Sequence, residues 1–315
     1  MSKVYEYLGI PFGFVIYLFY ALTGHYILSI FFLLLIVRLA LLPSAIKQQK
    51  GMAMQQRLQP KLRRIREKYG NDQQKIQQET QALYQQEGFS AMGGGCLPML
   101  IQLPVMLGLY QVNLHPFSMV LRIPETVVTQ LKQIAVSFGE NAYEKSEFRA
   151  ELTALTHWEK IDTSAISGLT PELIQKIETF KAHFTFLGLN LAEKPEFKEF
   201  SIYWIIPIIS GVIALATSIY SLVRQKKTNP EMAKNPSMGC MMLFTPAMQI
   251  YFAFLFPISI GIYIIMSSAI SFIQMIVLNH IYSPKKVLAK AMIDETVYRR
   301  SKEINTKKIN EFKND

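Results

Sequence analysis

Cysteine is scarce in this chain of 315 residues, with only Cys96 and Cys240 present. Each lies near the start of an apolar run, so we expect two free thiols and no disulfide framework. The motifs G-x-x-x-x-G-K-[ST], H-E-x-x-H and G-x-S-x-G are also missing, and the five histidines lack metal-ligand spacing. The sequence therefore predicts no nucleotide, metal or hydrolase site, no small-molecule substrate and no cofactor, and we do not expect an enzyme.

Acidic residues are absent from five long apolar runs. About 20 helical residues, each rising about 1.5 Å, cross a ~30 Å hydrocarbon layer, so we predict one transmembrane span for each run. The predicted spans are residues 26–45, 97–114, 202–222, 238–256 and 258–282. Because they contain no aspartate or glutamate, a proton relay or cation-coupled transport is not expected.

Basic residues are concentrated in three segments outside the spans. Lysine and arginine outnumber aspartate and glutamate by nine to four in residues 44–92, by four to one in 223–237 and by nine to five in 283–315. Residues 115–201 instead carry nine basic and twelve acidic residues. Since lysine and arginine are enriched in cytoplasmic loops, we place the first three segments in the cytoplasm. The N-terminus and residues 115–201 are then extracellular, and the C-terminus of this multi-pass cell-membrane protein is cytoplasmic.

Residues 1–25 precede the first predicted span. Their apolar stretch, 7–22, has about 16 residues and is short for a span. No small-residue cleavage site follows it, so we do not expect a cleaved signal peptide. We predict a helix that lies in the extracellular interface plane; the alternative is a sixth span.

Residues 46–92 carry an apolar stripe at helical spacing, which predicts more than a simple connecting loop. Its members are Met54, Leu58, Leu62, Ile65 and Tyr69. We predict one helix from about residue 45 to 69, kinked at Pro60. A turn signal and a second helix to about residue 87 complete a cytoplasmic helical hairpin.

The other faces of the first hairpin helix are basic. Its candidate docking residues are Lys61, Arg63, Arg64 and Arg66. Such a face is either solvated and in contact with anionic lipids, or it docks a ribosome, RNA or an acidic polypeptide. Charge alone leaves both interpretations open.

Residues 115–201 are expected to be mostly helical and to form a small cap over the outer ends of the spans. Thr170 and Pro171 predict the start of one of these helices, with Thr170 as the N-cap and Pro171 at the first helical position.

One positive charge lies inside a predicted span. Arg38 is five residues before Pro43, which places it about 7 Å from the expected end of the span. A buried arginine is costly unless it reaches water or a polar neighbour; the alternative is a side chain that simply extends to the interface. Because no acidic residue shares its depth, we expect Arg38 to be hydrated from the cytoplasm rather than ion-paired.

Amide and hydroxyl side chains accompany this arginine in the spans. Gln102 and Gln274 lie at a similar depth. Candidates farther in are Gln249, Ser268 and Thr217. A single amide in a span usually bonds a neighbouring helix, but an arginine and two amides at one depth favour a hydrophilic groove open to the cytoplasm. Such a groove would shorten the apolar barrier for a hydrophilic segment, while its apolar walls release helices sideways into lipid.

Three stretches carry a further set of motifs. They begin IVRLALLPSAIKQQKGMAMQQRLQPKLRRIREKYGND, GGGCLPMLIQLPVMLGLYQ and FPISIGIYIIMSSAISFIQM. Their order, with an arginine and proline ending the first span, a KYGND turn and a GCLPxLIQxP opening of the second, resembles the YidC/Oxa/Albino family of membrane protein insertases. The resemblance covers about residues 22–117 and 184–282 and is to the shorter Gram-positive type. GFSAMGGG lacks the family's usual proline, and the insert at about 121–181 is longer than the family pattern.

The resemblance implies a function and a set of partners. It implies an all-α membrane protein with five transmembrane helices around a hydrophilic groove, whose essential charge is Arg38 and whose lining includes Gln102 and Gln274. It also implies insertion without nucleotide, nascent membrane proteins as substrates, and the ribosome, the signal-recognition pathway and the Sec translocon as partners. Two other classes are alternatives: a channel or anion carrier built around Arg38, and a scaffold that recruits ribosomes.

Overall fold

The computed structural model describes residues 2–70, 72–86, 97–138, 147–197, 199–228 and 236–314, most of them helical. The α-helices are α1 (Ser2–Thr23), α2 (Tyr26–Arg57), α3 (Gln59–Tyr69), α4 (Gln73–Gln86), α5 (Leu97–Leu114), α6 (Glu125–Phe138), α7 (Ala150–Thr156), α8 (Pro171–His183), α9 (Ile205–Thr228), α10 (Pro236–Leu255), α11 (Ile258–Ile281) and α12 (Pro284–Asn314). A π-helical turn (Pro116–Val120), short 3₁₀ turns and an antiparallel pair, β1 (Thr185–Phe186) and β2 (Leu189–Asn190), lie between them. The predicted class, a helical membrane protein, agrees with this architecture.

Apolar helices dominate the described part of the chain. Three of them are long and apolar enough to cross a membrane, at Tyr26–Ala53, Ile202–Lys227 and Ile258–Ile281. Shorter apolar stretches occur at Gly9–Thr23, Leu103–Leu114 and Phe244–Leu255. The second and fourth predicted spans therefore correspond to shorter apolar stretches among the described residues, and the count of five spans stays a prediction.

The first long helix extends farther than its sequence pattern predicts. α2 continues through Pro43 to Arg57 instead of ending near residue 45, because a proline inside an apolar helix is tolerated where neighbours satisfy the backbone. Pro60 lies in the first turn of α3, where its missing N–H is no loss. The predicted helix over residues 45–69 is therefore divided between the end of α2 and α3, and the break falls at Leu58, two residues before Pro60.

The chain divides into two compact units. The first comprises Met1–Ala40, Pro98–Ile219 and Met241–Ile270, and the second comprises Leu41–Leu97, Tyr220–Cys240 and Ser271–Asp315. In the first unit a continuous apolar core joins α2, α5, α6, α7, α8 and the start of α11. Its largest fully buried side chains include Tyr26, Phe117, Phe180 and Tyr263.

Helix α1 packs closely on the π-helical turn through two glycines one helical turn apart. A Cβ on Gly9 would lie 2.8 Å from the terminal methyl of Met119, and one on Gly13 would lie 3.2 Å from the Met119 Cβ. Another face of α1 exposes apolar side chains at Ile10, Phe14 and Leu18. α1 thus has a small-residue packing face and an apolar outer face, and its predicted position in the interface plane stays a prediction.

A buried carboxylate organises the junction between α5 and residues 115–201, which are called the cap below. Glu151 is fully buried and accepts hydrogen bonds from the N–H groups of Phe117 and Ser118, both at 3.0 Å, and from the Ser118 hydroxyl at 2.6 Å. The Lys132 ammonium lies 3.0 Å away and the His115 Nδ1 lies 3.2 Å away. Burial alone raises the pKa of Glu151, but the neighbouring His115, the charge of Lys132 and the hydrogen bond from the Ser118 hydroxyl outweigh it, so the pKa lies below its ordinary value.

The cap is bonded directly to the start of α11. The Leu191 N–H donates to the Phe184 carbonyl at 3.1 Å, which places the chain after β2 beside the end of α8. The next carbonyls of this segment accept from the helix: the Ser259 N–H donates to Leu191 at 3.1 Å, and the Ile258 N–H donates to Glu193 at 2.8 Å. Because the first N–H groups of a helix have no partner within it, this segment supplies the missing acceptors.

In the second unit, α3 and α4 pack against each other through a small apolar cluster. Its members are Leu58, Leu62 and Leu83, with Ile65 and Tyr84 beside them. The Tyr69 hydroxyl donates to the Glu79 carboxylate at 3.0 Å. Gly70 closes α3 with a φ of +53°, a conformation that glycine adopts readily. Leu62 and Ile65 of the predicted stripe therefore lie on the face of α3 that packs against α4.

Close helix packing in the first unit depends on Gly261 in α11. A Cβ there would overlap the Cγ2 methyl of Ile206, whose branched side chain has one preferred rotamer in a helix. We expect Gly261→Ala to lower the free energy of unfolding by about 1–3 kcal/mol, the usual cost of overpacking. Thermal melting in detergent measures the effect. Gly51→Ala is the control, since Gly51 has open space around it in α2, and it should be neutral or stabilising. Equal melting temperatures for the two variants would contradict this packing.

Candidate functional site: a polar network among apolar helices

Arg38 of α2 is bonded to α11 within the first unit. Its Nη2 donates to the Ser267 hydroxyl at 2.8 Å and to the Ser267 carbonyl at 3.3 Å. Arg38 is half-buried, whereas Ser267 is only 5% exposed. Hydroxyl and carbonyl oxygens are among the partners that keep an arginine in an apolar helix at acceptable cost. Arg38 therefore forms hydrogen bonds to a neighbouring helix. An arginine side chain that only extended to the membrane interface would not make such bonds.

A second polar contact joins three helices of the same unit. The Gln249 amide nitrogen of α10 donates to the Ser210 hydroxyl of α9 at 3.0 Å and to the Ser210 carbonyl at 3.3 Å. It also lies 3.0 Å from the Ser268 hydroxyl of α11. Ser210 is completely buried, so this contact satisfies polar groups inside the helix packing.

Two adjacent serines of α11 connect these contacts. Neighbouring residues on a helix point about 100° apart, so Ser267 meets α2 while Ser268 meets α10. Arg38 and Gln249 are thereby bonded to consecutive positions of one helix. The network contains hydroxyl, amide and carbonyl groups with one permanent positive charge.

The remaining predicted groove residues are placed differently. The Thr217 hydroxyl donates to the Ile213 carbonyl of its own helix at 2.8 Å, so its described bond does not join the network. Gln102 belongs to α5, and its side chain lies outside the described residues. Gln274 is half-buried in the part of α11 that belongs to the second unit. Its position in a groove, like that of Gln102, stays a prediction.

The arrangement is suited to binding rather than to covalent chemistry. The described acceptors of Arg38 are neutral oxygens of Ser267, so they leave the charge of the guanidinium uncompensated. A guanidinium has five N–H donors, and these contacts use only Nη2. The site can therefore attract an acidic or polar segment.

The predicted docking residues lie together on the exposed side of α3. Lys61, Arg63, Arg64 and Arg66 are all exposed on this helix, whereas Leu62 between them is buried. Arg63 pairs with Glu67 of the next helical turn at 2.7 Å. Both side chains of that pair are largely exposed, so it contributes little stability. The basic face is therefore a solvent-facing surface of α3.

Sequence reasoning missed one member of the network and one of its pairings. Ser210 has no distinguishing signal, because single serines are ordinary in apolar helices. Ser267 is visible as one of several serines in the fifth predicted span, but its bond to Arg38 joins positions 229 residues apart. Only the folded arrangement of α2 and α11 reveals that bond.

These features define a multi-pass α-helical membrane protein with a polar site among its apolar helices. The sequence profile of the 60Kd inner membrane protein family matches residues 18–286. The chain belongs to this family, the YidC/Oxa/Albino insertases, as its motifs predict.

Three similar proteins are named membrane protein insertases. The membrane protein insertase MisCA of Bacillus subtilis is 28% identical over 247 residues, covering 77% of this chain and 66% of the relative. Membrane protein insertase YidC 2 of Listeria innocua is 25% identical over 298 residues, covering 92% and 78%. Membrane protein insertase YidC of Oleidesulfovibrio alaskensis is 37% identical over 122 residues, which cover 37% of this chain and 23% of the relative. The aligned region thus spans from about a quarter to about three quarters of these relatives.

Proposed function

We propose that the protein is a membrane protein insertase and chaperone. It receives hydrophilic segments of nascent membrane proteins in a positively charged groove open to the cytoplasm, and it releases their transmembrane helices sideways into lipid, alone or with the Sec translocon. The observation that carries the proposal is the half-buried Arg38, which is bonded to neutral partners inside the apolar helices of a protein of this family.

The physical basis is the cost of moving polar groups through hydrocarbon. A polar group without a partner costs several kcal/mol in an apolar medium, on the order of 2–7 kcal/mol for an amide or hydroxyl. A groove lined by Arg38, Gln249 and Ser268 supplies donors and acceptors part of the way across. No bond is made or broken in the substrate, so the proposal needs neither a nucleotide nor a catalytic residue.

The proposed setting is the cell membrane. The bias of lysine and arginine between segments favours an extracellular N-terminus and a cytoplasmic C-terminus. The basic face of α3 is then cytoplasmic, where it would meet the ribosome, components of the signal-recognition pathway or anionic lipids.

Reconstitution tests the insertase proposal directly. Purified protein in liposomes, supplied with a small single-span substrate, should make the translocated end of the substrate resistant to added protease. Liposomes without the protein give the background, and added nucleotide should not change the yield. Protection no greater than background would contradict the proposal, and anion flux without protection would favour a channel or carrier instead.

Removing charge from α3 is expected to weaken docking. Lys61→Gln with Arg64→Gln removes two positive charges from the exposed face and should weaken ribosome binding about tenfold or more in low salt, since each basic residue near an anionic surface contributes roughly 1 kcal/mol. Cosedimentation with ribosomes measures this loss, and flotation with anionic liposomes separates RNA from lipid as the partner. Gln74→Glu with Gln78→Glu changes the net charge equally on α4 and is the matched control. An equal loss in both double variants would show that net charge, not this face, controls binding.

A further inference from the structure

The turn between β1 and β2 departs from the usual chemistry of such turns. β1 and β2 are joined by two residues, Leu187 and Gly188, with φ values of +52° and +80°. Two-residue hairpins of this geometry favour asparagine, aspartate or glycine at the first position, because other residues are strained at positive φ. Leu187 is nevertheless a leucine, and it is 83% exposed. Both its backbone conformation and its exposure are unfavourable in water.

The neighbouring contacts place this turn beside the start of a membrane helix. The segment that follows β2 accepts the N–H groups of Ile258 and Ser259 through the carbonyls of Glu193 and Leu191. Ile258 begins α11, which is long and apolar enough to span the membrane. The short hairpin is therefore tied by backbone hydrogen bonds to the point where α11 begins.

Aromatic side chains form a cluster near the start of α9. Phe197 stacks on Phe254 of α10 at 4.0 Å, and Trp204 meets Phe254 edge-on at 4.8 Å. The Trp204 indole N–H donates to the carbonyls of Glu196 and Glu199. Tryptophan with one polar and one apolar side is typical of the membrane interface. Phe197 is 60% exposed, so this cluster is open to its surroundings.

We propose that the β1–β2 turn is a lipid anchor. Leu187, with the partly exposed Phe186 beside it, enters the boundary between headgroups and acyl chains of the leaflet on the side of residues 115–201. Under the proposed topology this is the outer leaflet. The turn adjoins the beginning of α11 through the backbone hydrogen bonds of residues 191–193, and it exposes the apolar side chain of Leu187 there. Its function is to hold the cap against the membrane.

Fluorescence quenching in liposomes tests the anchor on the whole chain. With Cys96 and Cys240 replaced by alanine, Leu187→Cys carries an environment-sensitive label, and Ala165→Cys, on an exposed 3₁₀ turn of the same unit, carries the control label. The label at 187 should be quenched severalfold more by lipids with nitroxide acyl chains and less by iodide than the label at 165. Equal quenching by iodide at the two positions, without an effect of nitroxide lipids, would overturn the proposal. Shielding at 187 that arises only when a second protein is added would assign the turn to a polypeptide partner and overturn it too.

A second variant separates lipid contact from turn stability. Leu187→Asn suits the positive φ and should keep or raise the melting temperature in detergent. In liposomes, a label at Thr185→Cys should be quenched less by nitroxide lipids and more by iodide when Leu187→Asn is present. An unchanged lipid contact at position 185 would show that Leu187 is not the inserting residue. Neither readout uses insertion activity. A negative result here therefore does not contradict the insertase proposal, and a negative insertion assay does not contradict the lipid anchor.

Discussion

Replacing Arg38 by alanine is expected to lower the rate of substrate insertion into liposomes about 10- to 100-fold, because a hydrogen bond to a charged group contributes roughly 1.5–3 kcal/mol and each 1.36 kcal/mol is a factor of ten in rate. Arg38→Lys keeps the charge but loses the planar fork of donors, so it should retain an intermediate rate. The measurement is the initial rate of protease protection, with the amount of reconstituted protein determined for each variant.

Two hydroxyl variants distinguish positioning of the arginine from general loss of packing. Ser267→Ala removes the acceptor at 2.8 Å but keeps the carbonyl, and it should slow insertion about 2- to 10-fold, the range of one net hydrogen bond. Ser29→Ala is the control on α2, since the described bond of the buried Ser29 hydroxyl is to the carbonyl of His25, the residue just before that helix, and not to α11. Ser267→Ala with a wild-type rate would remove the proposed role of Ser267, and Arg38→Ala with a wild-type rate would remove that of the arginine.

Glu151→Ala is expected to be the most destabilising single change in the cap. It leaves the N–H groups of Phe117 and Ser118 without their acceptor and Lys132 without its counter-charge. Breaking a buried, hydrogen-bonded charge pair in this way costs about 3–5 kcal/mol. Trp158, which is 5% exposed and packs on Phe117, reports unfolding by fluorescence once Trp204 is replaced by phenylalanine. Glu151→Gln keeps the shape and should fall between wild type and Glu151→Ala.

The pH dependence of melting checks the charge of Glu151. Its folded-state pKa is lowered, so its stabilisation is complete above the ordinary pKa of a glutamate and disappears as pH falls through the lower folded value. Below about pH 4.3, the ordinary glutamate pKa, the melting temperature of the wild type should therefore decrease more than that of Glu151→Gln. Glu159→Gln is the control, because the Glu159 side chain is 87% exposed beside Lys181. Parallel pH curves for wild type and Glu151→Gln would contradict a buried, ionised Glu151.

Sequence pattern predicts the helical class, the apolar runs and the polar residues in them, because each is a local property. Leu62 and Ile65 of the apolar stripe are visible at helical spacing, and they lie on the face of α3 that packs against α4. The N-cap of α8 is visible too, and the prediction is confirmed: the Thr170 hydroxyl accepts from the Leu173 N–H. These features depend on neighbours three or four residues away.

Features that depend on distant contacts were not visible in the sequence. Glu151 is one of twelve acidic residues in residues 115–201, and nothing local shows that it meets a π-helical turn and Lys132. Pro43 is an ordinary signal for the end of a helix, yet α2 continues past it. The Leu187–Gly188 turn lacks the usual asparagine–glycine signal, which explains why no strand was predicted there.

The hydrogen bonds between residues 191–193 and the start of α11 also set an order of assembly. Residues 191–193 leave the ribosome before residues 258 and 259 are synthesised, so their carbonyls cannot meet their partners until the last apolar helix begins to emerge. The chain between them contains α9 and α10, and both are synthesised before these bonds can form. The cap, although it is encoded in the middle of the chain, can therefore be completed only by the final apolar helix.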